Sequence, residues 1–353
     1  MRVSLPRRLL IIPALAVPLA FAAGCRSQAV RPLHPTALLL QRTILLPHVR
    51  GRIDHLAIGP RARRLYVAEF DNNAVDIVSL RTGRVVHRIA GLPHPQNTLV
   101  AGHKLLVSTE GDGAVRFYSL RHFRLLHTLR LGSDADNMRY QKSTGLALVA
   151  HGDSAGAIAA VNPRTFHTVW NIPVNVHPEA YSLGARGKHI FVNAQEASEV
   201  EKLSIRRRKA VAKWTLPDGI GGNFALAYDP ATQRLFIGCR SPDRMVVLNA
   251  KTGHAIKILP LAGVVDDMVF DKQSGCVIAA CGHGAVEIFR ENKNDGATPV
   301  ARVPTAPGAR TCLFRPRKGL LYLAEPKRGQ RAARIVAYKV QIPNAWRRNN
   351  TTK

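Results

Sequence analysis

A short apolar run preceded by a turn recurs along this chain. It reads Arg64-Leu65-Tyr66-Val67-Ala68, then Lys104-Leu105-Leu106-Val107-Ser108, and later copies begin at Gly145, Lys188, Arg234, Gly275 and Gly319. The intervals are 40, 41, 43, 46, 41 and 44 residues. Runs this short, bounded by turn residues, predict strands rather than helices. A period in the forties built from short strands is that of a four-stranded propeller blade.

Each copy carries the same parts. A first strand such as Leu56-Ala57-Ile58 or Leu226-Ala227-Tyr228 leads through a turn such as Asp229-Pro230 into the recurrent run. A polar or Gly-rich loop follows, for example Gly111-Asp112-Gly113, then a third strand at 74–80, 114–120 or 245–249. Turns such as Arg81-Thr82-Gly83 and Lys251-Thr252-Gly253 precede a fourth strand at 85–89 or 255–259. Turn residues bracketing apolar and β-branched runs are hairpin chemistry. The seventh copy stops after its third strand, 335–340, whereas a spare strand, 41–47, precedes the first copy. That spare strand is expected to complete blade seven, which closes the ring and removes an open edge. The predicted fold is all-β, a seven-bladed β-propeller over 38–341 with an N-terminal outer strand in its last blade.

The segment RLYVAEFDNNAVDIVSLRTGRVVHRI, starting at Arg64, resembles the YVTN-repeat propellers of bacterial envelopes, the YncE-like group. Asp134-Ala135-Asp136-Asn137 and the stretch Thr305 to Thr311 are also similar to that group, and the resemblance runs from about Arg50 to Val340. It implies the propeller fold and an envelope location, and it assigns no reaction, because fold and function are separate inferences.

The residues ahead of the propeller change the cellular picture. Met1-Arg2 and Arg7-Arg8 form a basic start, and Leu9 to Ala23 is an apolar stretch too short to span a bilayer. Residues 1–24 are therefore expected to be a signal peptide. Phe21-Ala22-Ala23-Gly24-Cys25 is similar to a lipobox, with Cys25 as the lipidated residue and 25–37 as a tether. The alternative is cleavage after Ala22, leaving a soluble periplasmic protein. On the first reading the protein is periplasmic or held at the outer membrane, and it meets the membrane only through the lipid. Residues 342–353 form a basic tail.

Lys plus Arg number 51 against 23 Asp plus Glu, a net charge of +28. Such a surface attracts anionic partners, whether a lipid surface or a polymer. No aromatic series interleaves with the basic clusters, so no stacking platform for single-stranded nucleic acid is evident. The remaining cysteines, Cys239, Cys276, Cys281 and Cys312, form no CxxC and fall in apolar runs. They are expected to be buried thiols, which excludes zinc-ribbon and thioredoxin chemistry. HExxH, GxSxG, P-loop and GxGxxG motifs are absent.

One constellation carries candidate chemistry. Aligning the blades on the turn after each first strand gives Asp54, Gln96, Asp136, Glu179, Asp266 and Arg310 at the strand entry, with Phe224 and the adjacent Asn223 in blade five. The neighbours His55, Asn97, Asn137, Asp267 and Thr311 are also polar. First strands line a propeller's central channel, so these side chains are expected to ring one mouth of it. His177 and His94, each beside a proline ahead of a first strand, are expected to join them. Carboxylates sharing a cavity perturb one another's ionisation, as functional groups do. Oxygen ligands of this kind suit a divalent cation such as Ca²⁺ or Mg²⁺; a purely structural role, joining loops of adjacent blades, is the rival reading.

The leading expectation is an exported, monomeric, non-enzymatic propeller that binds a partner or a small polar ligand at this mouth. Two alternatives stay open. One is a divalent-cation-dependent hydrolase using the same mouth, because seven-bladed lactonases resemble this architecture. The other is a protein whose basic face binds nucleic acid or an acidic polymer.

Overall fold

The structure, a computed structural model, describes residues 35–341, apart from 293, and residue 343. The expected signal peptide, Cys25 and nearly all of the basic tail lie outside the described residues.

Seven four-stranded antiparallel sheets account for every strand among the described residues, and only short 3₁₀ turns are helical. Blades one to seven span 56–90, 95–130, 138–174, 178–215, 221–260, 265–304 and 312–340. Each of the first six is a simple meander, with strands paired in chain order. The protein is a seven-bladed β-propeller.

The second and third strands are buried along nearly their whole length: in blade one, Leu65, Tyr66, Val67, Ala68, Ile77 and Val78 are all at most 1% exposed. Both faces of each sheet are covered by neighbouring blades, so these strands read as continuous apolar runs and not as alternating ones. The outer strands meet solvent on one face and alternate, as in Lys209–Thr215. The core is correspondingly divided. Seven apolar clusters each join two adjacent blades, for example Leu56, Val67 and Val78 of blade one with Tyr322 and Ile335 of blade seven. Cys239, Cys276, Cys281 and Cys312 are buried thiols within these layers.

Blade seven is closed as expected. The strand Leu38–Leu46 pairs antiparallel with Ala333–Val340, from Leu38 opposite Val340 to Leu46 opposite Ala333. It begins earlier than the sequence pattern indicated, because Leu38 and Ala37 pack into the cluster between blades six and seven. The Thr311 hydroxyl donates to the Ile53 carbonyl at 3.2 Å, joining the last blade to the first beside the channel.

The meander order puts the loop entering each blade and the loop between its second and third strands on one face. Contacts confirm the pairing: Arg52 N donates to Asp71 Oδ2 and Val264 N to Asp243 Oδ1. Many acidic residues lie in these loops or in the strand ends beside them, and several are paired with arginines of the third and fourth strands. Arg88 pairs with Glu69 and Asp76, Arg116 and Arg130 with Asp112, and Arg334 with Glu325. Other carboxylates of this face, among them Asp134, Asp136, Glu179 and Asp266, line the channel mouth.

Candidate functional site: the channel mouth

A cavity of about 210 Å³ sits at the acidic end of the channel. Its walls come from all seven blades: Arg52 and His55 of blade one, Gln96 and Glu110 of two, Asp136 of three, Glu179 of four, Arg240 of five, Asp266 of six and Arg310 of seven. Asp134, Asn137, His177, Ala180 and Phe224 complete it.

The charges are sorted around the ring. On one side, Asp266 is held between the Arg240 guanidinium and Arg310, whose Nε is 2.9 Å away. Burial pushes the Asp266 carboxyl up, but Arg310, Arg240 and Arg52 outweigh it and hold its pKa below the usual carboxylate value. Arg240 also lies over the Phe224 ring, 3.4 Å from its centroid, and donates from Nε to the Val265 carbonyl at 2.8 Å. Arg52 contacts Asp54 Oδ2 at 2.6 Å and stacks on Phe70 at 4.4 Å. Three guanidiniums thus form one arc, fixed by buried carboxylates and by aromatic rings.

The opposite arc, from blades two to four, is acidic. Gln96 Nε2 donates to Asp134 Oδ1 at 2.7 Å, and His177 Nδ1 lies 3.4 Å from Asp134 Oδ2. Asp136 is 4% exposed; its Oδ2 accepts from Asn137 at 3.0 Å, and its Oδ1 has no hydrogen-bond partner. Burial and then the neighbouring Glu179 push Asp136 up to about 7, against the pull of His55. Burial and then Asp266 push Glu179 up to about 8, against the pull of Arg240. One ligand atom from each of Asp136, His177 and Glu179 falls within 4.8 Å of the others.

His55 sits between the arcs, with Nδ1 3.4 Å from Asp267 Oδ2 and Nε2 3.7 Å from Asp54 Oδ1. Burial pushes its pKa down, but Asp267 and Asp54 outweigh that and raise it to about 10. A folded-state pKa above the unfolded value near 6.5 contributes stability that is complete below about pH 6.5. That contribution disappears as pH rises through about 10. His55→Gln is therefore expected to destabilise the protein most at pH 6, with the gap to wild type narrowing towards pH 10. Denaturant midpoints measured across this range check it; parallel curves would mean that folded His55 is neutral.

The structure brings His55, Gln96, Asp136, Asn137, His177, Glu179, Asp266 and Arg310 together as the strand-entry pattern indicates. It moves five others elsewhere. Asp54 is fully buried behind Arg52 and does not line the cavity. Asn97 and Asp267 line the separate channel space below, among Leu56, Met138 and Tyr181. Asn223 is buried and donates to the Glu199 carbonyl at 2.8 Å, a join between blades four and five. His94 is exposed and stacks on Phe70 at 4.7 Å. The strand-entry pattern missed Arg52, Glu110, Asp134 and Arg240. Arg52 and Asp134 stand two residues ahead of Asp54 and Asp136, as His177 does ahead of Glu179. A polar residue two positions ahead of the strand entry was the available signal; Asp134 reaches the cavity from a turn with a positive φ of 35° and not along extended chain. Glu110 directly follows the second strand of blade two and Arg240 is the penultimate residue of the second strand of blade five, so both come from the other mouth-facing end of the blades.

No family model matches the chain, and no curated protein matches it. Among solved structures, hydrazine synthase of Kuenenia stuttgartiensis aligns with a TM-score of 0.67 and 18% identity, over 79% of this chain and 94% of that one. A chain from a crystal structure of the mitotic checkpoint complex aligns with a TM-score of 0.72 and 15% identity, over 94% and 99%. The likeness is one of fold. At these identities two proteins of such different names share the blade architecture, and the chemistry rests on the mouth residues of this chain.

Proposed function

We propose that the chain is an exported binding propeller of the YVTN-repeat type that takes a small dipolar ligand at the acidic-face mouth of its channel. The observation that carries this reading is the sorting of charge in one cavity. Arg52, Arg240 and Arg310 offer an anionic group a fixed set of donors, and Asp134, Asp136 and Glu179 offer a cationic group acceptors on the opposite wall. Arginine donors already held by aromatic and carboxylate partners lose little freedom on binding.

The size of the site sets the class of ligand. About 210 Å³ is below the usual range of roughly 300–1,000 Å³ for drug-sized ligands, so the occupant is a small polar molecule. The basic start and apolar stretch of residues 1–24 support export. A non-enzymatic role fits a rigid site whose arginines are committed to holding charge.

Thermal unfolding in the presence of amino acids and short betaines tests the reading. A compound that occupies the mouth at a hundred times its Kd stabilises by about 2.7 kcal/mol, which raises the midpoint by several degrees. The effect is expected to fall away in Arg310→Gln. Shifts that are equal in wild type and Arg310→Gln would place binding elsewhere and remove the proposal, as would no shift with any member of the panel.

A further inference from the structure

We infer that Asp136, His177 and Glu179 form a binding site for a first-row divalent transition metal, which would be the cationic part of whatever the mouth holds. The inference rests on the mouth being a binding site but adds the identity of the group taken by its acidic arc.

His177 carries the first part of the case. Its Nδ1 lies 2.7 Å from the carbonyl oxygen of Gly152. A carbonyl only accepts, so Nδ1 bears the hydrogen and donates it. In the neutral ring Nε2 then presents a lone pair, and Nε2 stands 4.0 Å from Asp136 Oδ2. A lone pair facing a carboxylate is repulsive unless a cation lies between them. Metal-bound histidines commonly have this arrangement, with one ring nitrogen donating to a carbonyl or carboxylate and the other on the metal.

Asp136 supplies the independent observation. Its side chain is nine-tenths buried or more, it lines the cavity, and Oδ1 has no partner. A buried carboxylate oxygen without a donor costs free energy unless a ligand meets it. The residue is also held firmly: its N donates to the Ala150 carbonyl at 2.9 Å, and Ser108 Oγ donates to its carbonyl at 2.6 Å. Glu179 follows His177 by two residues, at the start of the strand Pro178–Leu183, and its carboxylate makes no side-chain hydrogen bond among the described residues. Ligand atoms of the three lie within 4.8 Å of one another. Bonds of about 2.0–2.2 Å need ligand separations of roughly 3–4 Å, so small side-chain rotations complete the set.

The donor types choose the metal. One imidazole with two carboxylates suits Zn²⁺, Co²⁺ or Mn²⁺, whereas Ca²⁺ takes six to eight oxygens. This revises the sequence-based expectation of Ca²⁺ or Mg²⁺. Three protein ligands leave coordination positions open towards the cavity, where Arg52, Arg240 and Arg310 face an anionic co-ligand.

Titration calorimetry of the untagged, chelator-stripped protein with Zn²⁺, and absorption spectroscopy with Co²⁺, test the site. One equivalent of each is expected to bind, with Ca²⁺ at equal concentration failing to displace it. His177→Gln and Glu179→Gln are expected to weaken binding at least tenfold while melting like the chelator-stripped wild type, and Asp295→Asn, in the turn between the third and fourth strands of blade six, to leave it unchanged. Absence of a one-equivalent Zn²⁺ or Co²⁺ event overturns the inference. Binding that is unchanged in His177→Gln and Glu179→Gln also overturns it, since the metal would then sit elsewhere. Either failure leaves the mouth reading standing if small dipolar compounds still stabilise the metal-free protein in an Arg310-dependent way.

Discussion

A chain cut back to begin at Arg50 is expected to aggregate, or to melt on the order of 10 °C below the mature protein. The strand Leu38–Leu46 is the outer strand of blade seven, and Leu38, Ile44 and Leu46 are 8%, 1% and 0% exposed. Burying an aliphatic side chain of this size contributes ~2 kcal/mol. Three of them amount to roughly half of a typical stability of 5–15 kcal/mol. The loss is also structural. Removing the strand strips the pairing partner from Ala333–Val340 and uncovers Ile335, which lies in the layer between blades seven and one. An unpaired apolar edge is a template for association with other chains. Size-exclusion chromatography and thermal melts of the truncated protein check this. A soluble monomer that melts within a degree or two of the mature form would show that closure by this strand is dispensable.

Arg52→Met is expected to cost about 3–5 kcal/mol, and Asp54→Asn introduced in the same chain is expected to restore most of it. Asp54 is fully buried, and its principal counter-charge is the Arg52 guanidinium at 2.6 Å. His55, 3.7 Å away, is shared with Asp267, and Arg310 acts on Asp54 more weakly. Losing Arg52 therefore leaves a buried carboxylate short of compensation, whereas losing both charges leaves a neutral amide in a polar niche. Met loses the guanidinium stacking on Phe70 as well as the charge, but that loss is common to the single Arg52 variant and the double variant, so the restoration reads the pairing with Asp54. Denaturant midpoints of the two single variants and the double variant form the cycle. Additive effects, with the double variant weaker than either single one, would mean that Arg52 and Asp54 act independently.

Local pattern accounts for what was legible in this chain. A blade is a local object: its four strands follow one another within about forty residues, its turns use residues suited to hairpins, and its second strand is apolar because both faces are covered. Counting such runs therefore yields seven blades, and a missing outer strand at one end with a spare one at the other yields the closure seen between Leu38–Leu46 and Ala333–Val340. The burial of the four thiols follows from the same runs.

The mouth was legible only in part, and the reason lies in strand phase. Alignment on a downstream turn assumes that every first strand keeps its alternation back to the channel. Four of them do not. The pairing shifts between Pro95 and Asn97, Pro178 and Tyr181, Asn223 and Ala225, and Val265 and Asp267. In blades two and six the irregularity decides which of two adjacent polar residues meets the cavity, and in blade five it presents Phe224 in place of Asn223. Asn97, Asn223 and Asp267 consequently turn away from the mouth, and Gln96 and Asp266 remain in it.

The sequence by itself determined the number of blades, the way the ring closes and the face on which the acidic loops gather, because each of these depends on strand order and on contacts within one repeat. Only the tertiary structure decided that Arg52, Arg240 and Arg310 stand across from Asp136, His177 and Glu179. Those six residues come from five blades and are spread from position 52 to position 310, so their meeting depends on closing the ring and on the local bulges that aim each side chain.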